Sequence, residues 1–391
     1  MNERIEMISQ WLRGDCNISE LSRRYGVSRR NVYKWMERYE AKGWEGLEEL
    51  SRAPHRQAMA IGPEMESLIL ELKGRWVNWG APKIRQKLLE RIGARRCPAE
   101  STVSAVLKRH GLVKARKRRR HAVPGAAGPL EHCHGPNELW CADFKGWWKT
   151  LDGQRCEPLT VTDAWSRYLL KCVGLGKGTS IAMVKPHFEM LFREYGLPAA
   201  IRTDNGTPFA STGLGGLTQL SVWWMRLGLR LERIEPGCPQ QNGRHERMHL
   251  CLEQSQERAA RANLAQQQRA LEKFRQEYNE HRPHEALAQR TPGQLYTTSP
   301  RIYSGRLPAA REYPREWRTR QIRSDGRMKW GGREINITLA LAEERIGLKP
   351  IDDGRWAVWF EQMELGTFDE RVGKVKGYKR IKTTTLSEEE K

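Results

Sequence analysis

The sequence predicts a multidomain chain in which α-helical units come first, a mixed α/β core follows and a small all-β unit closes. Three observations carry that expectation. Apolar residues recur at helical spacing up to about residue 113, strand and helix patterns alternate over 132–292, and turn dipeptides separate short β-rich runs from about 318. At 391 residues the chain is long enough for two to four domains with proper cores.

Residues 1–50 read as a helix-turn-helix. A first helix runs to about Arg13, a second covers 18–25, Gly26 makes the turn and Ser28 caps a third helix. Val32, Trp35, Met36 and Tyr39 recur at helical spacing and are expected to bury. That leaves Arg29, Arg30, Tyr33 and Lys34 outward, as a helix laid in a DNA major groove requires, although a plain bundle with a solvated basic face has the same pattern. Residues 62–113 read as a second helical DNA-binding unit. Pro63 and Glu64 open one helix, Pro82 starts another, and Ser101 caps a third in which Val103, Val106 and Leu107 face inward. Lys108 and Arg109 close that helix, where basic residues suit the helix dipole as well as phosphate. The basic linker 114–131 follows. Lys114, Arg116, Lys117, Arg118, Arg119 and Arg120 repel one another, cannot pack, and leave their charge available to phosphates.

The core, 132–292, opens with a strand expected over 139–148. Along it Leu139, Cys141 and Asp143 share one face, while Trp140, Ala142 and Phe144 share the other. Strands at 158–163 and 168–173 complete an antiparallel meander; a helix over 180–195 leads to a strand at 199–203 that joins a mixed sheet. Residues 242–280 read as largely helical. The β region, 318–376, carries hairpin dipeptides at Asp325-Gly326, Gly331-Gly332 and Asp353-Gly354 and is expected to form a small barrel, with 377–391 a disordered tail.

Charge narrows the partners. Lys and Arg total 68 against 47 Asp and Glu, a net charge of +21 that points to a polyanion, nucleic acid first. There is no apolar stretch of about 18 residues and no signal-peptide pattern, so a cytoplasmic location at the nucleoid, away from membranes, is expected. The eight cysteines form no Cys-x-x-Cys pair and read as reduced thiols; His132-Cys133-His134 lacks the spacing to close on zinc.

Asp143 is the acid around which the rest is arranged. An ionised carboxylate among apolar neighbours must neutralise, pair or bind a cation. Two further acids are placed to join it. Asp204 follows a short strand directly, and Glu246 lies in the first turns of a helix after the loop Gly237-Cys-Pro-Gln-Gln-Asn-Gly243. Carboxylates brought together from two strands and a helix repel one another unless divalent cations sit between them; an all-oxygen site suits Mg²⁺, with Mn²⁺ as substitute, and two such ions serve phosphodiester chemistry. Each acid also has a structural reading: Asp143 pairing with a buried Arg, Asp204 capping a turn, Glu246 one surface charge among many. Asp163 repeats the alternation of Asp143 but reads as the start of a tight turn, Asp163-Ala-Trp-Ser-Arg167.

Taken in order, Trp140-Cys-Ala-Asp143, Thr162-Asp163 with Ser166-Arg167, Thr203-Asp-Asn-Gly206, Asn242-Gly-Arg-His-Glu-Arg247 with His249, and Asn279-Glu-His-Arg-Pro-His284 resemble bacterial insertion-sequence transposases of the retroviral-integrase superfamily. Trp44-Glu-Gly-Leu47, Ser51-Arg-Ala-Pro54 and the carboxy-terminal β region look like one branch of it. The resemblance implies a ribonuclease-H-like core and an Asp-Asp-Glu triad at Asp143, Asp204 and Glu246. It also implies DNA cleavage and strand transfer by a homo-oligomer, a dimer or tetramer, on double-stranded DNA. A catalytically inactive DNA-binding regulator is the alternative, and a ribonuclease acting on RNA–DNA hybrids is disfavoured by the two DNA-reading units. The 42 positions from Asp204 to Glu246 exceed the spacing in many relatives and leave Glu253, on the same helical face, as a second candidate.

Overall fold

A computed structural model of the chain describes residues 2–49, 61–113, 133–234, 242–255 and 258–382. It forms two compact units, Met1–Gly62 and Pro63–Lys391. The linker cations Lys114, Arg116, Lys117, Arg118, Arg119 and Arg120 lie outside the described residues.

In the first unit, helices α1 (Asn2–Arg13), α2 (Ile18–Arg24) and α3 (Arg29–Lys42) close on Met7, Leu21 and Val32, with Trp11, Trp35 and Met36 packed against them. The helix starts follow from the sequence. Asn17 and Glu20 form a reciprocal capping box for α2, and the Ser28 hydroxyl accepts from Asn31 N at the start of α3. Arg29, Arg30, Tyr33 and Lys34 are all exposed on α3. Trp35 is half-buried, and the Arg4 and Arg38 guanidinium groups lie over its ring at 4.1 and 4.5 Å.

The second unit begins with α4 (Pro63–Arg75), α5 (Ala81–Ile92) and α6 (Glu100–Arg109), packed through Ile69, Leu72, Ile84, Leu88, Val103, Val106 and Leu107. Ser101 does not cap α6. The helix starts two residues earlier, with Ala99 at the cap position and no side-chain bond there. Lys73, almost fully buried, donates from Nζ to the carbonyls of Val77 (2.5 Å) and Trp79 (2.8 Å), closing the end of α4.

A six-stranded mixed sheet follows, built from β1 (Leu139–Phe144), β2 (Trp148–Lys149), β3 (Arg155–Asp163), β4 (Leu169–Leu175), β5 (Ala200–Thr203) and β6 (Arg230–Arg233). The first four make an antiparallel meander, and β1, β5 and β6 run parallel. The strand expected over 139–148 is in fact two, since Gly146 turns the chain at a positive φ of 85°. Helices α7 (Ile181–Tyr195) and α8 (Gln219–Arg226) cover one face, where Trp140, Ala142, Leu159 and Val161 meet Phe188, Phe192 and Trp224. On the other face α9 (Gly243–Gln254) and α10 (Leu264–Gln276) bring Met248, Leu252, Leu271 and Phe274 against Cys156, Leu169 and Cys172. The helix expected over 242–280 is thus broken after Gln254 and ends in a π turn, Glu277–His281, where Asn279 locks to β4: Leu169 N donates to its Oδ1 and its Nδ2 donates to Leu169 O.

The carboxy-terminal region is an antiparallel sheet ordered β13-β12-β11-β10-β7 with a separate β8-β9 hairpin. Its strands are β7 (Arg318–Gln321), β8 (Arg327–Trp330), β9 (Arg333–Asn336), β10 (Arg345–Asp352), β11 (Arg355–Phe360), β12 (Met363–Asp369) and β13 (Lys374–Lys382). The tail expected to be disordered from 377 is strand as far as Lys382, because β13 pairs along β12. This sheet does not stand apart. Ile346, Leu348, Phe360 and Phe368 belong to the same hydrophobic core as Trp140, Phe192 and Trp224. The connection is made by the stretch after Asp204, where a 3-10 turn, Leu214–Gly216, abuts β12 and β13 so closely that a Cβ on Gly215 would come within 2.9 Å of Leu365 Cδ2. Arg226 adds two carboxylate partners from the β region, Glu344 at 3.5 Å and Glu361 at 3.4 Å.

Candidate active site

Parallel pairing of β1 with β5 sets Ala142 opposite Thr203, so the next residues, Asp143 and Asp204, leave neighbouring strands at the same end. Adjacent strands lie about 4.8 Å apart, which makes these two carboxylates neighbours. Glu246 is in the first turn of α9, close enough for its charge to act on Asp143. Asp143 and Asp204 thus end neighbouring strands, and Glu246 acts on Asp143 through its charge.

Each acid has a distinct environment. Asp143 is partly buried, and desolvation first, then the negative charge of Asp204, raises its pKa to about 6, with Glu246 adding to the rise. Two donors oppose that rise: Phe144 N to Oδ1 at 2.8 Å and Asn242 Nδ2 to Oδ2 at 2.9 Å. Asn242 stands at the cap position of α9 yet makes no side-chain bond to its own helix. Its amide is committed to Asp143, so a local helix rule is given up where the acid must be aimed. Asp204 Oδ1 is buried without a hydrogen-bond partner, and its Oδ2 lies over Gly206, where a Cβ would come within 2.9 Å. A side chain at 206 would push that carboxylate aside. Glu246 is exposed. A buried acceptor with no donor, beside two more carboxylates, is a donor set that fits a hard divalent cation.

Glu253 stands apart from this group along α9. It is largely exposed and lies 3.8 Å from Lys145 Nζ. Asp163 is fully buried but satisfied. Asn137 N donates to its Oδ2 at 2.7 Å, and Ser166 N and Oγ donate to its Oδ1 at 2.7 and 2.6 Å.

Two residues escaped the sequence-based site, His245 and His249. Among the described residues, Asp143, His245 and His249 form the group with metal-ligand chemistry, one candidate atom from each lying within 4.8 Å of the others. Burial holds His245 well below its ordinary pKa and depresses His249 to about 3, so both rings are neutral. The signal available in sequence was their i, i+4 spacing, which places both on the face of α9 that carries Met248 and Leu252.

The basic residues divide in the same way. Lys108 is exposed at the end of α6, whereas Arg109 Nη1 is 3.2 Å from Glu66, which also binds His110 at 2.7 Å. No helix among the described residues is long and apolar enough to cross a membrane.

Comparison with known proteins adds family relations. Models of the integrase core domain match residues 133–239 and 227–292, and the model of the IS481 family transposase C-terminal domain matches 317–376. A helix-turn-helix model matches 3–55 and a homeodomain-like model 31–107. An uncharacterized 31.7 kDa protein of insertion element IS407 from Burkholderia multivorans is 30% identical over 47% of this chain and 64% of its own length. A 39.2 kDa protein of insertion element IS476 from Xanthomonas euvesicatoria is 30% identical over 47% of this chain and 51% of its own length. The chain therefore spans less than two thirds of either relative. Among solved structures, the HTLV-2 integrase catalytic core domain in complex with magnesium is similar at a TM-score of 0.31 and 17% identity, over 42% of this chain and 98% of that one. Successive segments of the chain thus match helix-turn-helix, integrase core and IS481 family transposase C-terminal domain models, in that order.

Proposed function

We propose that this protein is a Mg²⁺-dependent DNA transposase that cuts the ends of its element and joins the freed 3′-hydroxyls to target DNA. One observation carries the reading: Asp143 and Asp204 leave adjacent parallel strands at the same end, beneath the helix turn that bears Glu246, with Asp204 Oδ1 lacking any donor. Asp143, Asp204 and Glu246 would hold the two divalent ions. When bound, such ions supply a nucleophilic oxygen and stabilise the leaving oxygen of an in-line displacement. The chain's own residues do the rest. Asn242 fixes the rotation of the Asp143 carboxylate, and Gly206 leaves the Asp204 carboxylate free to turn toward its neighbour. Water is the nucleophile in the first step and the 3′-hydroxyl in the second, so no Ser or Tyr nucleophile is required.

Recognition of the element ends falls to Arg29, Arg30, Tyr33 and Lys34 on α3, with Lys108 and Arg109 on α6 and the linker cations Lys114, Arg116, Lys117, Arg118, Arg119 and Arg120 on phosphates. Two ends must meet one target, and each chain has one set of acids, so the working species is a homo-oligomer. The test is an assay of end-bearing duplex oligonucleotides with the purified chain. Metal-dependent nicking and strand transfer are expected, and DNA binding without either reaction would identify a regulator instead.

A further inference from the structure

Thr160 lies directly opposite Asp143 in the β1–β3 ladder, beneath α9. Its Oγ1 is 3.0 Å from the Asp143 carbonyl oxygen, 2.8 Å from His245 Nε2 and 2.8 Å from His249 Nε2. A hydroxyl has one proton and two lone pairs, and a carbonyl oxygen can only accept. The Thr160 proton therefore goes to Asp143 O, and both imidazoles must donate Nε2–H to Thr160. His245 is then unprotonated at Nδ1, which lies 2.8 Å from Thr162 Oγ1, and the Thr162 hydroxyl donates to it. Every proton in this buried network has one consistent place.

We infer that His245 and His249 are positioning residues, Nε2–H donors that clamp α9 onto the strand opposite Asp143, and that they are not ligands of a metal. The inference rests on the functional reading above for what is being positioned. Three of the four ring nitrogens are engaged, leaving at most His249 Nδ1 for an ion, and one nitrogen beside Asp143 is too few for a closed site. The two rings meet edge to face at 4.7 Å, one turn apart on α9. Together with Asn242 on Asp143 and Arg244 Nη1 on Ala164 O at 2.8 Å, they fix the rotation of the first turns of α9 and so the direction of Glu246. The same clamp holds the Asp143 backbone through its carbonyl. One hydroxyl links two of the three acids.

The test pairs two substitutions at Thr160 with a spectroscopic readout. Thr160→Val keeps the shape but removes the hydroxyl, and Thr160→Ser restores it. Strand transfer by Thr160→Val should fall about 10²-fold, the cost of a small misplacement, with a raised Mg²⁺ half-saturation and unchanged affinity for end DNA. Thr160→Ser should recover to within about threefold of wild type. Wild-type activity in Thr160→Val, or equal loss in both variants, overturns the inference. In the full-length protein labelled at histidine, nitrogen NMR should report the Nε2–H tautomer at both rings, unchanged by Mg²⁺ or Zn²⁺. Loss of either Nε2 proton on adding Zn²⁺, or an Nδ1–H tautomer at His245, overturns it independently. If the wild type moves no DNA strand, the functional reading fails, and the tautomers alone decide the clamp.

Discussion

Asp143, partly buried, and Asp163, fully buried, are acids on paired strands, each preceded by the same alternation of apolar residues and each raised in pKa by burial. Their neighbours separate them. Asp163 accepts three hydrogen bonds from Asn137 and Ser166 and so closes a turn. Asp143 accepts two, and the charges that raise its pKa are those of two more carboxylates, Asp204 and Glu246. Burial alone therefore does not mark a reactive acid. A stable fold satisfies its buried carboxylates with donors, and a site that keeps several together without enough donors gains its satisfaction from something that binds.

The sharpest way to break this comparison is to neutralise each acid. Asp143→Asn should lower cleavage and strand transfer by about 10³-fold or more while end binding and folding persist. Asp163→Asn places an amide N–H against Asn137 N–H or Ser166 and should cost about 2–4 kcal/mol of stability, read by chemical denaturation. A folded, inactive Asp163→Asn beside an active Asp143→Asn would reverse the assignment.

The third acid comes next. Glu246→Gln should abolish strand transfer of pre-cleaved ends in Mn²⁺, whereas Glu253→Gln should retain substantial activity, since Glu253 lies about 10.5 Å further along the helix axis and beside Lys145. The opposite result would move the site along α9.

A smaller effect concerns acidity. Asp143 has a folded pKa of about 6, above its ordinary value of 3.8, so the folded state takes up the proton first as pH falls. In metal-free buffer its contribution destabilises the fold above pH 6, and stability should rise by about 1–3 kcal/mol between pH 7 and pH 4. Asp143→Asn should remove that rise and be the more stable protein at pH 7. A wild-type pH profile indistinguishable from that of Asp143→Asn would show that the acid is not held under strain.

Recognition supplies the smallest contrast. Replacing Arg30 and Lys34 with Ala should weaken end DNA more than random DNA, by about 1–3 kcal/mol, while neutralising 116–120 should weaken both and flatten the salt dependence. Equal losses on both DNAs for the first pair would remove α3 as the reading helix.

Much of the site was legible because it obeys short-range rules. The alternation along β1 put Asp143 on the face away from Trp140 and Ala142, and the Gly/Pro loop placed Glu246 at a helix start. What escaped depends on which elements meet. His245 and His249 show their spacing in sequence, but nothing local says that Thr160 and Thr162 lie beneath them. Neither α8 nor β6 was foreseen, because in the long interval after Asp204 the tryptophans and glycines lack a clear period. The strand ending at Lys382 was missed for a related reason: its charge suits an exposed tail, and only pairing with β12 holds it as strand.

That long interval has a thermodynamic consequence. Because Leu214–Gly216 and Arg226 tie the β region to the sheet that carries Asp204, and one apolar core runs through both, neither can lose its packing without exposing the other's interior. The mixed sheet and the carboxy-terminal strands should melt in a single calorimetric transition. A protein truncated near residue 316 would then be an unstable fragment with a bare apolar face, rather than a self-standing core domain.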